Sequence, residues 1–452
     1  MKPSLMKLLA LLAAASLIAA ACGDDASDVN TLPATDDETE SDEAMDDEDA
    51  MDEDAMDEDH SDDAMDDEDA MDDDAMDDDA MVPSTTDGAS TLRAGLTSLL
   101  QEHLYLAAIT IETALDAGGD MDDPTVGAAA AVLDENSVAL ADAITSVAGP
   151  ENGEAFLGLW REHIGFFVDY TLGKATGDDA AVEQAMADLD GYKQASAAFF
   201  EEITGGAVTA AQVEEVLAPH AVTTFAAIDA LVAGETEAFT LTRTAGQEMP
   251  GIATALSGAV VAAMPDTFDG DVNSAPAETR AVLTHLLQEH VYLAGIALDQ
   301  AVEAGGDLEN PAVVAAVETL DENSVALADV VGSVAGPENG EAFLGLWREH
   351  IGFFVEYTLG RATGDDARAD QAKVDLDGYK EAAGAFFEEI TGGELPADAL
   401  VANLDGHTTT VFATIDSLVA GEADTFSNLR KAAQHMPVSA EALATAIVAA
   451  TS

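Results

Sequence analysis

The chain has 452 residues, of which 90 are acidic and 15 are Lys or Arg, so its formal net charge is −75. A nucleic-acid-binding protein needs a basic surface, which this composition excludes, and so acidic a chain is also repelled by anionic membrane surfaces. The length predicts two or three domains, and abundant alanine with only 5% aromatic residues favours helices over sheets.

The first 21 residues have the organisation of a secretory signal peptide. Lys2 and Lys7 precede an apolar stretch, residues 8–21, which is too short for an ordinary membrane-spanning helix. Three alanines then lead to Cys22, the only cysteine, and this junction resembles a bacterial lipobox. The resemblance implies cleavage before Cys22 and acylation of its sulfur, which would anchor the exported chain to the lipid bilayer at the outer face of the cell membrane. Secretion with an unpaired cysteine is the alternative.

An acidic low-complexity segment follows, residues 22–88, rich in Asp, Glu, Ala and Met. Dense like charge without aromatic residues prevents a packed core, and self-repulsion extends such a chain. We therefore predict a disordered spacer that lifts the rest of the protein off the membrane. A weak reservoir of cations is the alternative, because carboxylates bind Ca²⁺ or Mg²⁺ and thioethers bind Cu(I).

The remainder of the chain is an internal duplication. Residues 92–265 match residues 279–452 without a gap, and Ser146–Val168 recurs identically as Ser333–Val355. The repeat is too long for a solenoid unit, so each copy is predicted to be a whole domain. The predicted division is repeat 1 at 89–264, a linker at 265–276 and repeat 2 at 277–452.

Each repeat is predicted to be a bundle of about six helices, which makes the protein all-α. Glycines mark the breaks, as at Gly149 and Gly234, and apolar residues recur at helical spacing. Pro250 is expected to break or kink the last helix, and Pro219 to bend or restart the fifth. The helices predicted in repeat 1 are 90–117, 125–147, 152–175, 179–203, 210–233 and 236–263.

Three helices of each repeat carry a histidine on their apolar stripe. Such histidines point to the interior of a bundle, where side chains from facing helices build metal and cofactor sites. The last predicted helix adds Glu248 in repeat 1 and His435 in repeat 2. The candidate metal ligands are His103, His163, His220 and Glu248 in repeat 1, and His290, His350, His407 and His435 in repeat 2.

Three or four such ligands suit Zn²⁺, Cu²⁺ or iron, and haem is a further candidate. Repeat 2 is predicted to bind more tightly because of His435, and binding is predicted to weaken below a pH of about 6.5, since neutral imidazole is the ligand. The alternative is a metal-free surface or interaction module whose histidines are packed core residues. We find no nucleophile–base motif, phosphate loop or nucleotide fingerprint, so we do not expect an enzyme.

Charged residues beside these histidines have two possible roles. Glu102 and Glu289 each precede a candidate ligand, and the helical turn between neighbours makes each a supporting hydrogen-bond partner or a solvated residue. Arg243 and Arg430, alone among acidic residues, are expected to form structural ion pairs. An anion site is the alternative.

The pattern Gln-Glu-His-x-Tyr-Leu, Leu-Trp-Arg-Glu-His-Ile-Gly-Phe-Phe-Val and Ile-Asp-x-Leu-Val-Ala-Gly spans most of both repeats. It resembles an uncharacterised family of secreted bacterial helical domains, some of which carry the label "copper amine oxidase" by association with a neighbouring module. Members have His-Met near the end, which repeat 2 keeps as His435-Met436 and repeat 1 replaces with Glu248-Met249. The resemblance implies a helical extracytoplasmic domain. It does not imply amine oxidase activity, because the β-rich catalytic domain and its Asn-Tyr-Asp/Glu motif are not found.

Overall fold

The computed structural model describes residues 83–451, and every regular element within that range is an α-helix. The all-α prediction is therefore confirmed for this part of the chain. The predicted signal peptide, the lipidated Cys22 and the acidic segment up to residue 82 lie outside the described residues.

Seven helices form in each repeat of the described chain, one more than predicted, because the last predicted helix is split in two. Repeat 1 contains α1 (Gly88–Asp116), α2 (Pro124–Ala148), α3 (Pro150–Thr176), α4 (Asp179–Ile203), α5 (Ala210–Ala233), α6 (Glu237–Gly246) and α7 (Met249–Ala263). Repeat 2 contains α8 (Ala275–Glu303), α9 (Pro311–Ala335), α10 (Pro337–Thr363), α11 (Asp366–Ile390), α12 (Ala397–Ala420), α13 (Thr425–Gln434) and α14 (Met436–Thr451).

The helix ends follow local backbone chemistry. Gly149 separates α2 from α3 with a φ of 87°, which residues with a Cβ rarely adopt, and Pro150 begins α3 where no N–H partner is needed. Pro250 lies in the first turn of α7, so the predicted break is confirmed. Of the predicted bend or restart at Pro219, the restart is wrong, because α5 is continuous across this residue. Pro219 and Glu215 are exposed, so water can satisfy the carbonyl that proline leaves without a donor.

Helix α5 is the one helix within residues 83–451 that is long and apolar enough to cross a membrane. It packs against α4 and α6 of its own repeat. Val213 and Ile228 on its inner side are buried in that contact.

The two repeats meet along α1 and α8, which pack against each other. Tyr105 of α1 stacks on its counterpart Tyr292 of α8, with ring centroids 5.4 Å apart. Equivalent residues that meet in this way indicate an approximate two-fold relation between the repeats, as in a symmetric dimer interface.

Helices α6 and α13 extend this interface, because α6 packs on α9 and α13 packs on α2. The principal core cluster accordingly draws buried residues from both repeats, and the chain from Pro83 onward forms one compact unit. The predicted boundary at 265–276 is thus a boundary between repeats, and the two repeats are not separate compact domains.

Four carboxyl groups gather near the ends of α1 and α8. Burial, reinforced by neighbouring carboxylates, raises the pKa of Glu112 to about 8 and that of its counterpart Asp299 to about 7. The pKa values of Asp116 and Glu303 are also raised, chiefly by burial. Gln300 donates a hydrogen bond to Glu112 at 3.2 Å. Glu112 is therefore largely protonated at neutral pH. Its protonation reduces the repulsion among these four carboxyl groups where α1 and α8 meet.

Two buried histidine pairs as candidate functional sites

The first candidate site is a pair of histidines from two helices of repeat 1. His103 of α1 and His163 of α3 are both buried, and their Nε2 atoms lie 3.4 Å apart. Hydrogen bonds from ring N–H groups usually measure about 2.7–3.2 Å, so this separation is long for a direct bond. The two nitrogens face each other at a separation that allows at most a weak hydrogen bond.

Repeat 2 contains the same arrangement. His290 of α8 and His350 of α10 are buried, and their Nε2 atoms are also 3.4 Å apart. The pairing of the first two predicted histidines in each repeat therefore agrees with the helical phase read from the sequence.

Aromatic rings hold each pair in place. Trp160 lies 4.6 Å from the His103 ring centroid and 4.4 Å from that of His163, and Tyr192 stacks on His163 at 4.7 Å. Trp347 and Tyr379 take the same positions around the pair of repeat 2. His163 and His350 thus have rings on two sides, and one tryptophan packs against both members of each pair, so the geometry of both pairs is restrained.

The third predicted histidine of each repeat does not join the pair. In repeat 1 the Phe167 ring makes edge contacts with both His163 and His220, so an aromatic ring separates them. Phe354 separates His350 from His407 in the same way. Within residues 83–451, no group of three or more His, Cys, Asp or Glu side chains is placed to hold a metal ion. The predicted sets of three and four ligands are therefore wrong, and each repeat retains two facing histidines.

The fourth predicted positions also lie outside the pairs. Glu248 is half-buried at the start of α7. His435 donates a hydrogen bond from Nε2 to the Asn403 carbonyl at 2.9 Å, and its ring stacks parallel to His407 with centroids 6.4 Å apart. A Cβ at Gly406 would lie 2.9 Å from the His435 ring, so glycine makes room for this histidine. His435 therefore fills space in repeat 2 and adds no ligand to the pair.

Burial keeps the paired histidines neutral. It lowers the pKa of His163 and of His290 to about 3, while those of His103 and His350 fall well below the usual value, mainly through burial and then through neighbouring histidines. Burial likewise lowers the pKa of His220 to about 4. Burial thus favours the neutral form of the paired rings, which is the form that binds metal.

Both pairs border apolar cavities. A cavity of about 160 Å³ in repeat 1 is lined by His103, His163 and Met249 among mostly apolar residues. Repeat 2 has two smaller cavities, of about 90 and 60 Å³, and the second of these is lined by His350 and Met436.

Several buried polar atoms beside the pairs have no hydrogen-bond partner in the described chain. They are Nδ1 of His103 and of His290, and Nε1 of Trp160 and of Trp347. A buried donor without a partner costs about 1–3 kcal/mol, so its recurrence in both repeats is a feature of the site that needs a reason.

Glu102 and Glu289 have a role that the sequence did not indicate. Glu102 is 1% exposed and accepts hydrogen bonds from Asn136 at 3.0 Å and from Arg430 of the other repeat at 2.7 Å. Glu289 is fully buried and pairs with Arg243 of the other repeat at 3.2 Å. These carboxylates therefore link the repeats and do not support the histidines. The prediction that Arg243 and Arg430 form structural ion pairs is confirmed.

Comparison of the chain with protein-family models, with curated proteins and with solved structures found no match. The family resemblance that the sequence motifs suggest accordingly stays a prediction.

Proposed function

We propose that the chain is an exported lipoprotein, anchored through Cys22, whose two repeats each bind one metal ion between a buried histidine pair, with Cu(I) as the preferred ion. The main support for this proposal is the 3.4 Å separation of the facing Nε2 atoms, which recurs in both repeats.

The separation supports a bridging cation. Metal–imidazole bonds of about 2.0–2.1 Å, at trigonal or tetrahedral angles, place two ligand nitrogens about 3.3–3.6 Å apart. The pairs have this spacing without any movement of the rings, and the packed tryptophans hold them there. Two protein ligands leave at least one coordination position for a further donor.

The charge of the site supports a monovalent, soft ion over Zn²⁺ or iron. All the paired imidazoles are neutral, and Asp190, which borders the repeat 1 cavity, is exposed and ion-paired with Lys193. Burying a divalent charge among neutral ligands costs more than burying a monovalent one. The thioethers of Met249 and Met436 line the same cavities, and thioethers select Cu(I).

Haem is disfavoured, because ligand pockets usually have about 300–1,000 Å³ and these cavities are smaller.

Replacing both His163 and His350 with glutamine should remove two Cu(I) ions per chain, because each pair loses one of its two nitrogen ligands. Loss of a direct ligand should weaken binding at each site by more than about 100-fold, since even supporting residues contribute 10–100-fold. Titration of the full chain against a chromogenic Cu(I) chelator, under reducing conditions, measures both stoichiometry and affinity. Binding should persist from pH 7 down to about 4, because burial lowers the pKa of His163 to about 3.

The matched control is His220→Gln, which changes a histidine of the same cavity that lies outside the pair and should leave the stoichiometry unchanged. The acidic segment is identical in all three chains, so its own cation binding cancels in the comparison. Equal stoichiometry in the wild type and in the double variant would contradict the proposal. The histidine pairs would then be structural, and the interaction-module alternative would lead.

The anchor is tested separately. Replacing Cys22 with serine should move most of the protein from the membrane fraction to the medium, because the sulfur that carries the lipid is absent. Immunoblotting of both fractions measures the shift. A Cys22→Ser chain that stays as membrane-bound as the wild type would rule out lipidation at this residue.

A further inference from the structure

The cavity of repeat 1 differs from its counterparts in size. It has about 160 Å³, whereas the cavity with the equivalent lining in repeat 2 has about 60 Å³. The cavity of about 90 Å³ in repeat 2 is lined mostly by other positions. Aromatic rings form much of the wall of the repeat 1 cavity, including Phe156, Trp160, Phe167 and Phe225. The rings thus enclose a space that is less than half as large in the second repeat.

Two substitutions change the packing beside the third histidine of repeat 2. His435 lies against Gly406 and stacks on His407, whereas repeat 1 has Glu248 and Pro219 in the equivalent places. An imidazole therefore occupies volume near the third histidine of repeat 2.

The mouth of the cavity also differs. Met186 lines the cavity of repeat 1 and is 46% exposed, so the cavity approaches the surface at α4. Its counterpart in repeat 2 is Lys373, whose Nζ lies 5.2 Å from the Tyr357 ring centroid and 5.7 Å from that of Phe412. An uncharged, flexible side chain at the mouth of repeat 1 leaves a route for an apolar molecule.

One polar group on the cavity wall can orient a bound molecule. The indole N–H of Trp160 is buried at the cavity wall and has no acceptor in the described chain. His103 adds an unpartnered Nδ1 beside it. A ligand that carries a hydrogen-bond acceptor would satisfy a donor that the protein leaves free.

We propose that the cavity of repeat 1 binds a small, neutral aromatic molecule with one hydrogen-bond acceptor. A cavity of about 150 Å³ lined by apolar side chains is known to stay dry and to admit benzene, so a single substituted ring fits. Ring-lined walls favour an aromatic ligand through edge and offset contacts. The cavity wall is mostly apolar, and its charged residues Asp190 and Lys193 are paired with each other, so a neutral organic ligand is favoured over a charged one. The cavity also borders the histidine pair to which we assign the metal, so the experiments are run with excess chelator to keep metal out.

The two tryptophans of the chain provide the measurement, because Trp160 borders the cavity of repeat 1 and Trp347 the smaller one of repeat 2. Acetophenone, a neutral ring with one carbonyl acceptor, is titrated into the full-length Trp347→Phe and Trp160→Phe chains. We expect saturable quenching of Trp160, with half-saturation below about 1 mM, and only linear collisional quenching of Trp347. Linear quenching of both tryptophans would overturn the proposal.

Competition and cavity filling sharpen the result. Ethylbenzene lacks the acceptor, so it should displace acetophenone about fivefold less effectively than a ring of similar size that keeps the carbonyl group. Benzoate, which is charged, should not displace it. Ala221→Leu, which fills the cavity, should abolish saturable quenching of Trp160, whereas Val222→Leu on the exposed side of α5 should retain it. Unchanged saturation in Ala221→Leu would place the ligand elsewhere and overturn the assignment. The comparison of quenching between the two tryptophans does not depend on the Ala221→Leu variant. It therefore tests the proposal even if Ala221→Leu folds poorly.

Discussion

Replacing Arg430 with methionine should destabilise the folded unit by about 3–5 kcal/mol, because it leaves a fully buried carboxylate without its charge partner. Arg430 donates from Nε to Glu102 and from Nη1 to Glu135, each at 2.7 Å, and Glu102 is 1% exposed. Methionine keeps most of the aliphatic packing of arginine, so the loss reports the charge. Urea unfolding followed by circular dichroism measures the change in the free energy of unfolding.

Arg348→Met is the matched control. Arg348 makes a two-point ion pair with Asp321, but its side chain is 50% exposed, and such surface pairs contribute about 0–1 kcal/mol. Adding Glu102→Gln to Arg430→Met should recover part of the lost stability, because the unpaired charge is removed. If Arg430→Met and Arg348→Met lower the free energy of unfolding equally, the pairing across the repeats is not what stabilises the unit.

Expressed alone, residues 277–452 should form a homodimer and should not persist as a folded monomer. Without repeat 1, Glu289 loses Arg243, Arg430 loses Glu102, and the face of α8 that carries Tyr292 is exposed. Two copies of repeat 2 related by a two-fold axis would restore these contacts, because Arg430 of each copy would meet Glu289 of the other. The independent folding that the sequence suggests is thus expected only after dimerisation.

Sedimentation equilibrium, together with thermal unfolding at several protein concentrations, tests this expectation. The midpoint of unfolding should rise with concentration, as it does for any obligate dimer. Arg430→Met should weaken the dimer, and Arg348→Met should not. A cooperatively folded monomer at micromolar concentration would show that one repeat is sufficient by itself, and a chain without any cooperative transition would show that two identical repeats cannot replace the natural pair.

The sequence predicts the parts of this fold that depend on local chemistry. The duplication, the all-helical character and the break before Pro250 follow from residue spacing and from proline and glycine. Helical phase also places His103 and His163 toward the interior, where they meet. Helical phase predicts which way a side chain points but not which side chain it contacts. It therefore could not show that Phe167 lies between His163 and His220.

Contacts between repeats were the harder part to predict. Glu102 lies about one-third of a turn from His103, a position that on a surface helix would face solvent. Because α1 is buried against α8 on that side, Glu102 faces Arg430, more than 300 residues away in sequence. A carboxylate that is buried and paired has the same local pattern as a solvated one. The reciprocal Arg243–Glu289 contact becomes recognisable only when the two repeats are placed side by side.

The approximate two-fold axis has a consequence for divergence. In a dimer of identical chains every substitution appears twice, so a change that suits one half is imposed on the other. Joining the halves through residues 265–276 removes that restriction, and repeat 1 can keep Met186 and Glu248 where repeat 2 has Lys373 and His435. A short tether also sets the effective concentration of one half around the other in about the millimolar range. The asymmetric pair therefore stays assembled at any dilution of the protein.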